Sequence, residues 1–375
     1  MEAQALLDEA VRRTGLGNFG DESFLPSLER LVASYNEESD LSDFGQLAVL
    51  EMLVGSLVNR LKVESWYERH PEIADQEITA PLIIVGLPRT GSTLLSNLLA
   101  LDPETRALRY WESENPCPPP EQDDSNDPRI PACQQKIDDK LSRQPELRDM
   151  LPFGAQAPNE CHPLMYMSFH SISYEAMGNV PSYIDWLSEP GRDHLAAFDF
   201  HKRTLKLLQW RHGPRRWQLK SPGHSLMISA MAATYPDARY VMTHREPEKV
   251  MASVCSLVAT VRADFLKSDR RYLLGPRLLA DWSLRQRRLI DFRATAPADR
   301  FHDVYHQDTV RDGTATISKL YGEMGWAFRD ELADAIKNWG SEHPKGEHKP
   351  SLNDFGLNEA MVRDAFSFYS GAMAQ

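Results

Sequence analysis

Cysteine is scarce in this chain. Of 375 residues only Cys117, Cys133, Cys161 and Cys255 are cysteine, and no two of them form a C-x-x-C pair. Neither a disulfide framework nor a zinc knuckle is expected, and reduced thiols follow. Long apolar runs are missing too. No stretch approaches the roughly 18–20 residues of a membrane-spanning helix, and the mean hydropathy is −0.47. Met1-Glu2-Ala3-Gln4 has neither the basic start nor the apolar run of a signal peptide, so the expected location is cytoplasmic. Positive charge is in deficit: 42 Lys+Arg against 54 Asp+Glu leave a net charge of −12. That balance argues against a general nucleic-acid binder, and against an anionic membrane surface as the main partner.

The chain does have ordinary globular material, 42% apolar and 26% charged residues, enough to bury a sizeable core. Residues 1–80 carry helical stripes, Leu6, Leu7, Ala10 and Val11, then Leu47, Leu50, Leu53, Val54, Leu57 and Leu61. They read as an N-terminal helical segment packing on a core formed by residues 81–375. From Pro81 the pattern changes: Leu82-Ile83-Ile84-Val85 ends in Gly86, and apolar residues then recur at helical spacing from Leu94 to Leu99. Further strands are expected at 216–220, 239–243 and 301–305, with helical patterns between them. Alternation of this kind predicts an α/β fold with a parallel sheet flanked by helices. The Pro- and Asp-rich stretch 112–131 reads as a long loop.

Gly86-Leu87-Pro88-Arg89-Thr90-Gly91-Ser92-Thr93 has the G-x-x-x-x-G spacing of a phosphate loop, between a strand and a helix. Such a loop curls backbone N–H groups around an anion, and the helix start adds its dipole. Ser92 stands where a nucleoside triphosphatase carries lysine, which disfavours an ATPase or GTPase. Arg89 is the replacement cation, suited to a tetrahedral oxyanion. Downstream, no Asp or Glu occurs from His201 to Pro236, while Lys202, Arg203, Lys206, Arg211, Arg215, Arg216 and Lys220 do. Most of these read as a solvated helix face. Lys220, closing a strand before Ser221-Pro222, sits where parallel sheets bind ligands. The strand at 239–243 leads into His244-Arg245, and Ser253 follows Arg245 by eight residues, so the two could share one phosphate.

Together these stretches resemble the sulfotransferase family that uses 3'-phosphoadenosine 5'-phosphosulfate (PAPS), in its bacterial branch with Pro-Arg-x-Gly-[Ser/Thr]-Thr loops. The resemblance covers roughly residues 81–326 and implies a P-loop-like α/β domain. It assigns Arg89, Thr90, Gly91, Ser92 and Thr93 to the 5'-phosphosulfate, Arg245 and Ser253 to the 3'-phosphate, and Lys220 to the oxygen between phosphate and sulfate. PAPS is thus the implied co-substrate and adenosine 3',5'-bisphosphate (PAP) the product, with no metal. Pro344-Lys345-Gly346 resembles a C-terminal Arg-Lys-Gly element, which would bring Lys345 and Gly346 to the 3'-phosphate, although Pro344 replaces the arginine. The late segment 301–308 resembles the family's last strand and acidic turn.

A hydroxyl nucleophile needs a proton acceptor, and Pro222 occupies the position where vertebrate relatives carry a histidine. Glu112, 23 residues past Arg89 and beside Trp111, is the first candidate and His224 its rival; Glu160 and His201 rank below them. The run Phe153, Met165, Tyr166, Met167, Phe169, Tyr174, Tyr183, Trp186 and Phe198 suits an apolar pocket for a hydroxyl-bearing small molecule. A homodimer is compatible with all of this. Two other classes remain: a P-loop nucleotide kinase or NTPase-like enzyme, and a non-catalytic nucleotide-binding protein.

Overall fold

The computed structural model describes residues 1–150, 154–268, 271–342 and 350–369. Five strands form one wholly parallel sheet: β1 (Leu82–Gly86), β2 (Thr105–Ala107), β3 (Arg216–Lys220), β4 (Arg239–His244) and β5 (Phe301–Tyr305), ordered β2-β3-β1-β4-β5. Apolar patterning points to four of them. The fifth, β2, has only three residues, one of them Arg106, and lies at the sheet's edge, too short to leave a periodic signal.

Every residue of β1 is buried because helices cover both faces, as parallel sheets require. Successive side chains alternate between two cores. Leu82 and Ile84 join Leu95, Leu98, Leu99, Val241 and Val304. Ile83 and Val85 join Trp217, Leu219, Tyr240 and Met242 on the other face, and this second core runs without a break into Leu6, Leu28, Val49, Leu53, Leu57 and Leu61. The three N-terminal helices Ala3–Thr14, Leu25–Glu38 and Asp43–Arg69 therefore share one apolar interior with the sheet.

The cations on helix Leu195–Gln209 do more than meet solvent. Arg203 pairs with Glu64 at 2.8 Å and lies 3.9 Å over the Tyr67 ring. Lys206 donates to the Ala74 carbonyl at 2.6 Å, and Lys202 to that of Thr234 at 3.0 Å. They tie this helix to its neighbours. The Pro- and Asp-rich loop is also pinned: Arg129 donates to the carbonyl of Asn115 and pairs with Asp127, and Arg109 pairs with Asp124.

From β1 the chain passes beyond β3 to β2, returns to β3, then crosses to β4 and β5. The strand order thus reverses beside β1, and the carboxyl ends of β1, β3 and β4 meet at the position where open α/β sheets bind ligands. In register, Ile84 faces Lys220 and Gly86 faces Thr243.

Candidate active site

β1 ends at Gly86 with φ 118, where an added Cβ would lie 2.8 Å from the Thr243 carbonyl oxygen; only glycine allows so close an approach. The loop turns through Arg89 at φ 63 and Gly91 at φ 83 into helix Ser92–Leu99. The Thr90 hydroxyl donates to the Leu87 carbonyl at 2.6 Å and shares a 2.6 Å bond with the Thr243 hydroxyl. Loop and β4 are joined there, and the unpaired N–H groups of the helix start are left for an anion.

Arg89 is the hub of the cationic side. Its Nε donates to Ser253 Oγ at 2.9 Å and its Nη1 to the Met150 carbonyl at 2.7 Å, while its own carbonyl accepts from Arg245 Nη1 at 2.9 Å. Arg89, Arg245 and Ser253 thus meet, Ser253 coming from helix Pro247–Ala263. Among the described residues neither arginine forms an ion pair. Burial lowers the proton affinity of both, and the charge of Arg245 pushes Arg89 further the same way. Positive charge held this way favours a bound anion.

Lys220, 4% exposed at the end of β3, reaches Thr93 Oγ1 at 3.1 Å and Glu160 Oε1 at 3.4 Å. Glu160 is held there by its neighbours, since the Cys161 N–H donates to the Lys220 carbonyl at 2.8 Å and the Asn159 N–H to that of Leu108 at 2.6 Å. Burial alone would push the Glu160 carboxyl up, but Lys220 and then His162 outweigh it and hold the group at about 2. The charge of Glu160 is also felt at Arg89 and Tyr110. The carboxylate facing the phosphate loop across Lys220 is therefore Glu160, which motif order ranks low because it lies in an irregular segment without periodicity.

Glu112 sits differently. Fully buried, its Oε1 accepts the Arg109 N–H at 3.0 Å, and its Oε2 accepts from Arg106 Nη2 at 2.9 Å and Arg109 Nη2 at 3.0 Å. Both oxygens are engaged in capping helix Tyr110–Glu114 and joining it to β2. His224 is 1% exposed, burial lowers it to about 4, and neither ring nitrogen has a hydrogen-bond partner. Lys345, Gly346 and Phe153 lie outside the described residues. Met165, Met167, Phe169, Tyr174, Tyr183 and Phe198 are packed core, which corrects the reading of this run as a pocket lining. His162 Nδ1 lies 3.7 Å from Glu160 Oε2, the charge of Glu160 is felt at Tyr110 and Tyr166, and the rings of His162 and Tyr166 are 5.3 Å apart.

The family model for the sulfotransferase family matches residues 81–330. The chain belongs to the sulfotransferase family. Sulfotransferase STF1 from Mycobacterium tuberculosis superimposes with a TM-score of 0.87 at 31% identity, over 98% of this chain and 99% of that one. Sulfotransferase STF9 from Mycobacterium avium does so with a TM-score of 0.88 at 26% identity, over 99% and 96%. A curated relative, the omega-hydroxy-beta-dihydromenaquinone-9 sulfotransferase Stf3 of Mycobacterium bovis, is 23% identical over 274 residues, 70% of this chain and 67% of that protein. The P-loop-like parallel sheet of a sulfotransferase is thus matched along nearly the whole length, N-terminal helices included, and the chain is a sulfotransferase enzyme. No described helix is long and apolar enough to cross a membrane.

Proposed function

We propose that this sulfotransferase moves a sulfuryl group from PAPS to the hydroxyl of a small, apolar acceptor and releases PAP. One observation carries the reading: two cationic centres, Arg89–Arg245–Ser253 and Lys220, flank a single phosphate loop. A donor with phosphates at both its 3' and 5' ends needs two such centres, and a nucleoside diphosphate needs one. The loop N–H groups with Thr90, Gly91, Ser92 and Thr93 receive the 5'-phosphosulfate, and Arg245 with Ser253 the 3'-phosphate. Arg89, between them, serves both.

The transfer is an in-line displacement. Glu160 takes the acceptor's proton, the freed oxygen attacks sulfur, and the bond from sulfur to the 5'-phosphate oxygen breaks. Lys220 meets the charge growing on that oxygen. Positioning and preorganised charge supply most of the rate enhancement. We assign the base role to Glu160 rather than Glu112 or His224, because Glu112 is saturated by two arginines and His224 has no polar partner. The rings of Tyr110, His162 and Tyr166 near Glu160 suit an apolar alcohol, and the omega-hydroxy-beta-dihydromenaquinone-9 named for the Stf3 relative is a hydroxyl-bearing apolar molecule. Residues 1–80 are a packing layer on the catalytic domain.

The test is transfer of label from [35S]PAPS to a panel of aliphatic, prenyl and phenolic alcohols. Transfer to a lipid-like alcohol, lost in Lys220→Met, supports the proposal; binding of PAPS without transfer to any acceptor, or transfer unaffected by Lys220→Met, contradicts it.

A further inference from the structure

Behind the proposed catalytic pair lies a second polar cluster to which the reaction assigns no role. Cys161 begins the turn into helix His162–Tyr166, His201 lies in helix Leu195–Gln209, and His224 lies in the turn Pro222–Met227 that follows β3. Their spacing in the chain resembles no metal motif, yet the fold brings one ligand atom from each within 4.8 Å of the other two. All three are at most 1% exposed. The His201 ring uses one nitrogen, Nδ1, in a 2.7 Å bond with the Tyr235 hydroxyl, while its Nε2 and both nitrogens of His224 have no partner. Buried polar atoms are nearly always satisfied, so three orphaned imidazole nitrogens beside a thiol in an apolar interior call for an occupant.

We infer that Cys161, His201 and His224 bind a single zinc ion that holds Lys220 and Glu160 in place. Two imidazoles and one thiolate are a donor set suited to Zn2+. The Tyr235 hydroxyl on His201 Nδ1 is the outer partner that fixes the ring and leaves Nε2 for the metal. Tetrahedral bonds of about 2.0–2.3 Å put neighbouring ligand atoms about 3.5 Å apart, so the trio needs to close by about 1 Å. Binding releases the Cys161 thiol proton to solvent and leaves a fourth position for a water molecule. The link to the active site is direct: Glu160 precedes Cys161, whose N–H is bonded to the Lys220 carbonyl, and His224 follows Lys220 by four residues, in the turn after β3. Resting on the proposed function, the ion is thus a positioning element under Lys220 and Glu160.

The experiment is metal analysis of the full chain purified without an affinity tag, together with Co2+ titration of the chelator-treated protein. The inference expects close to one zinc per chain, and a Co2+ spectrum with tetrahedral ligand-field and thiolate charge-transfer bands. Cys161→Ser and His224→Ala should each lose both signals, and Cys133→Ser neither. Zinc removal should lower kcat with KM for the donor little changed, and zinc return should restore it. Substoichiometric zinc with no Co2+ spectrum overturns the inference and leaves the trio holding buried water. These readouts do not depend on the donor: the spectrum tests the ion even if no PAPS turnover exists, and PAPS turnover without zinc would remove the ion and leave the proposed function standing.

Discussion

Replacing Glu160 by Gln separates the two carboxylates most sharply. Glu160 lies 3.4 Å from Lys220. At an effective dielectric of about 20 that attraction is about 5 kcal/mol, which is why the carboxyl is held at about 2. Under the proposed mechanism Lys220 is shared with the donor's leaving oxygen, which would weaken this hold, raise the proton affinity of Glu160 and let it act as the base. Removing a general base costs roughly 10²–10⁴ in kcat, about 3–5 kcal/mol in the barrier. Gln keeps an amide oxygen for Lys220, so the fold survives. It removes a negative charge beside the anion site, so PAP affinity stays the same or rises a few-fold. Glu112→Gln does the reverse. It leaves Arg106 and Arg109 facing an uncharged partner in the interior, costing about 3–5 kcal/mol and lowering Tm by about 5 °C, while turnover per folded molecule is kept. Stopped-assay kcat and KM, PAP calorimetry and thermal melts on both variants decide it. A Glu112→Gln enzyme that is dead at unchanged Tm, beside an active Glu160→Gln enzyme, would refute the argument.

Three further outcomes follow. Thr90→Val removes the hydroxyl that joins Leu87 and Thr243; stability should fall by about 2–3 kcal/mol, read by urea unfolding, with weaker PAP binding. Because Glu160 is lowered in the folded state from its ordinary 4.5 to about 2, its contribution is fully present above pH 4.5 and is lost as pH falls toward 2; Glu160→Gln should flatten the unfolding free energy against pH in that window. Arg89→Gly relieves a left-handed backbone at φ 63, worth about 1 kcal/mol. Losing the guanidinium should nonetheless weaken PAP about 10- to 100-fold by calorimetry.

Much of the scaffold was legible in the sequence. A run such as Leu82-Ile83-Ile84-Val85, closed by a glycine, suits a strand buried on both faces of a parallel sheet, and the glycines at 86 and 91 mark turns that side chains resist. Lys220, Arg245 and Ser253 were readable because each closes a strand or sits at fixed helical spacing from one that does. What was hidden depends on long-range contact. β2 forms because Thr105, Arg106 and Ala107 pair with β3, not because of their own pattern. The pairing of Glu112 with Arg106 and Arg109, and the Cys161–Lys220 backbone bond that brings Glu160 to the lysine, are contacts between segments that no local pattern joins. The aromatic run after residue 160 satisfies a core pattern and a pocket pattern equally, and only packing tells them apart. The Cys161, His201 and His224 trio comes from three separate elements, and no spacing rule could have joined them.

The most direct test of the central claim is calorimetry of the purified chain with PAP, set against ADP and ATP with magnesium, repeated on Arg245→Ala. The account predicts that PAP binds about 10- to 100-fold more tightly than either competitor, the increment of a charge-assisted contact to the 3'-phosphate, and that Arg245→Ala removes that margin. ATP with magnesium binding as tightly as PAP, or a margin untouched in Arg245→Ala, would contradict it.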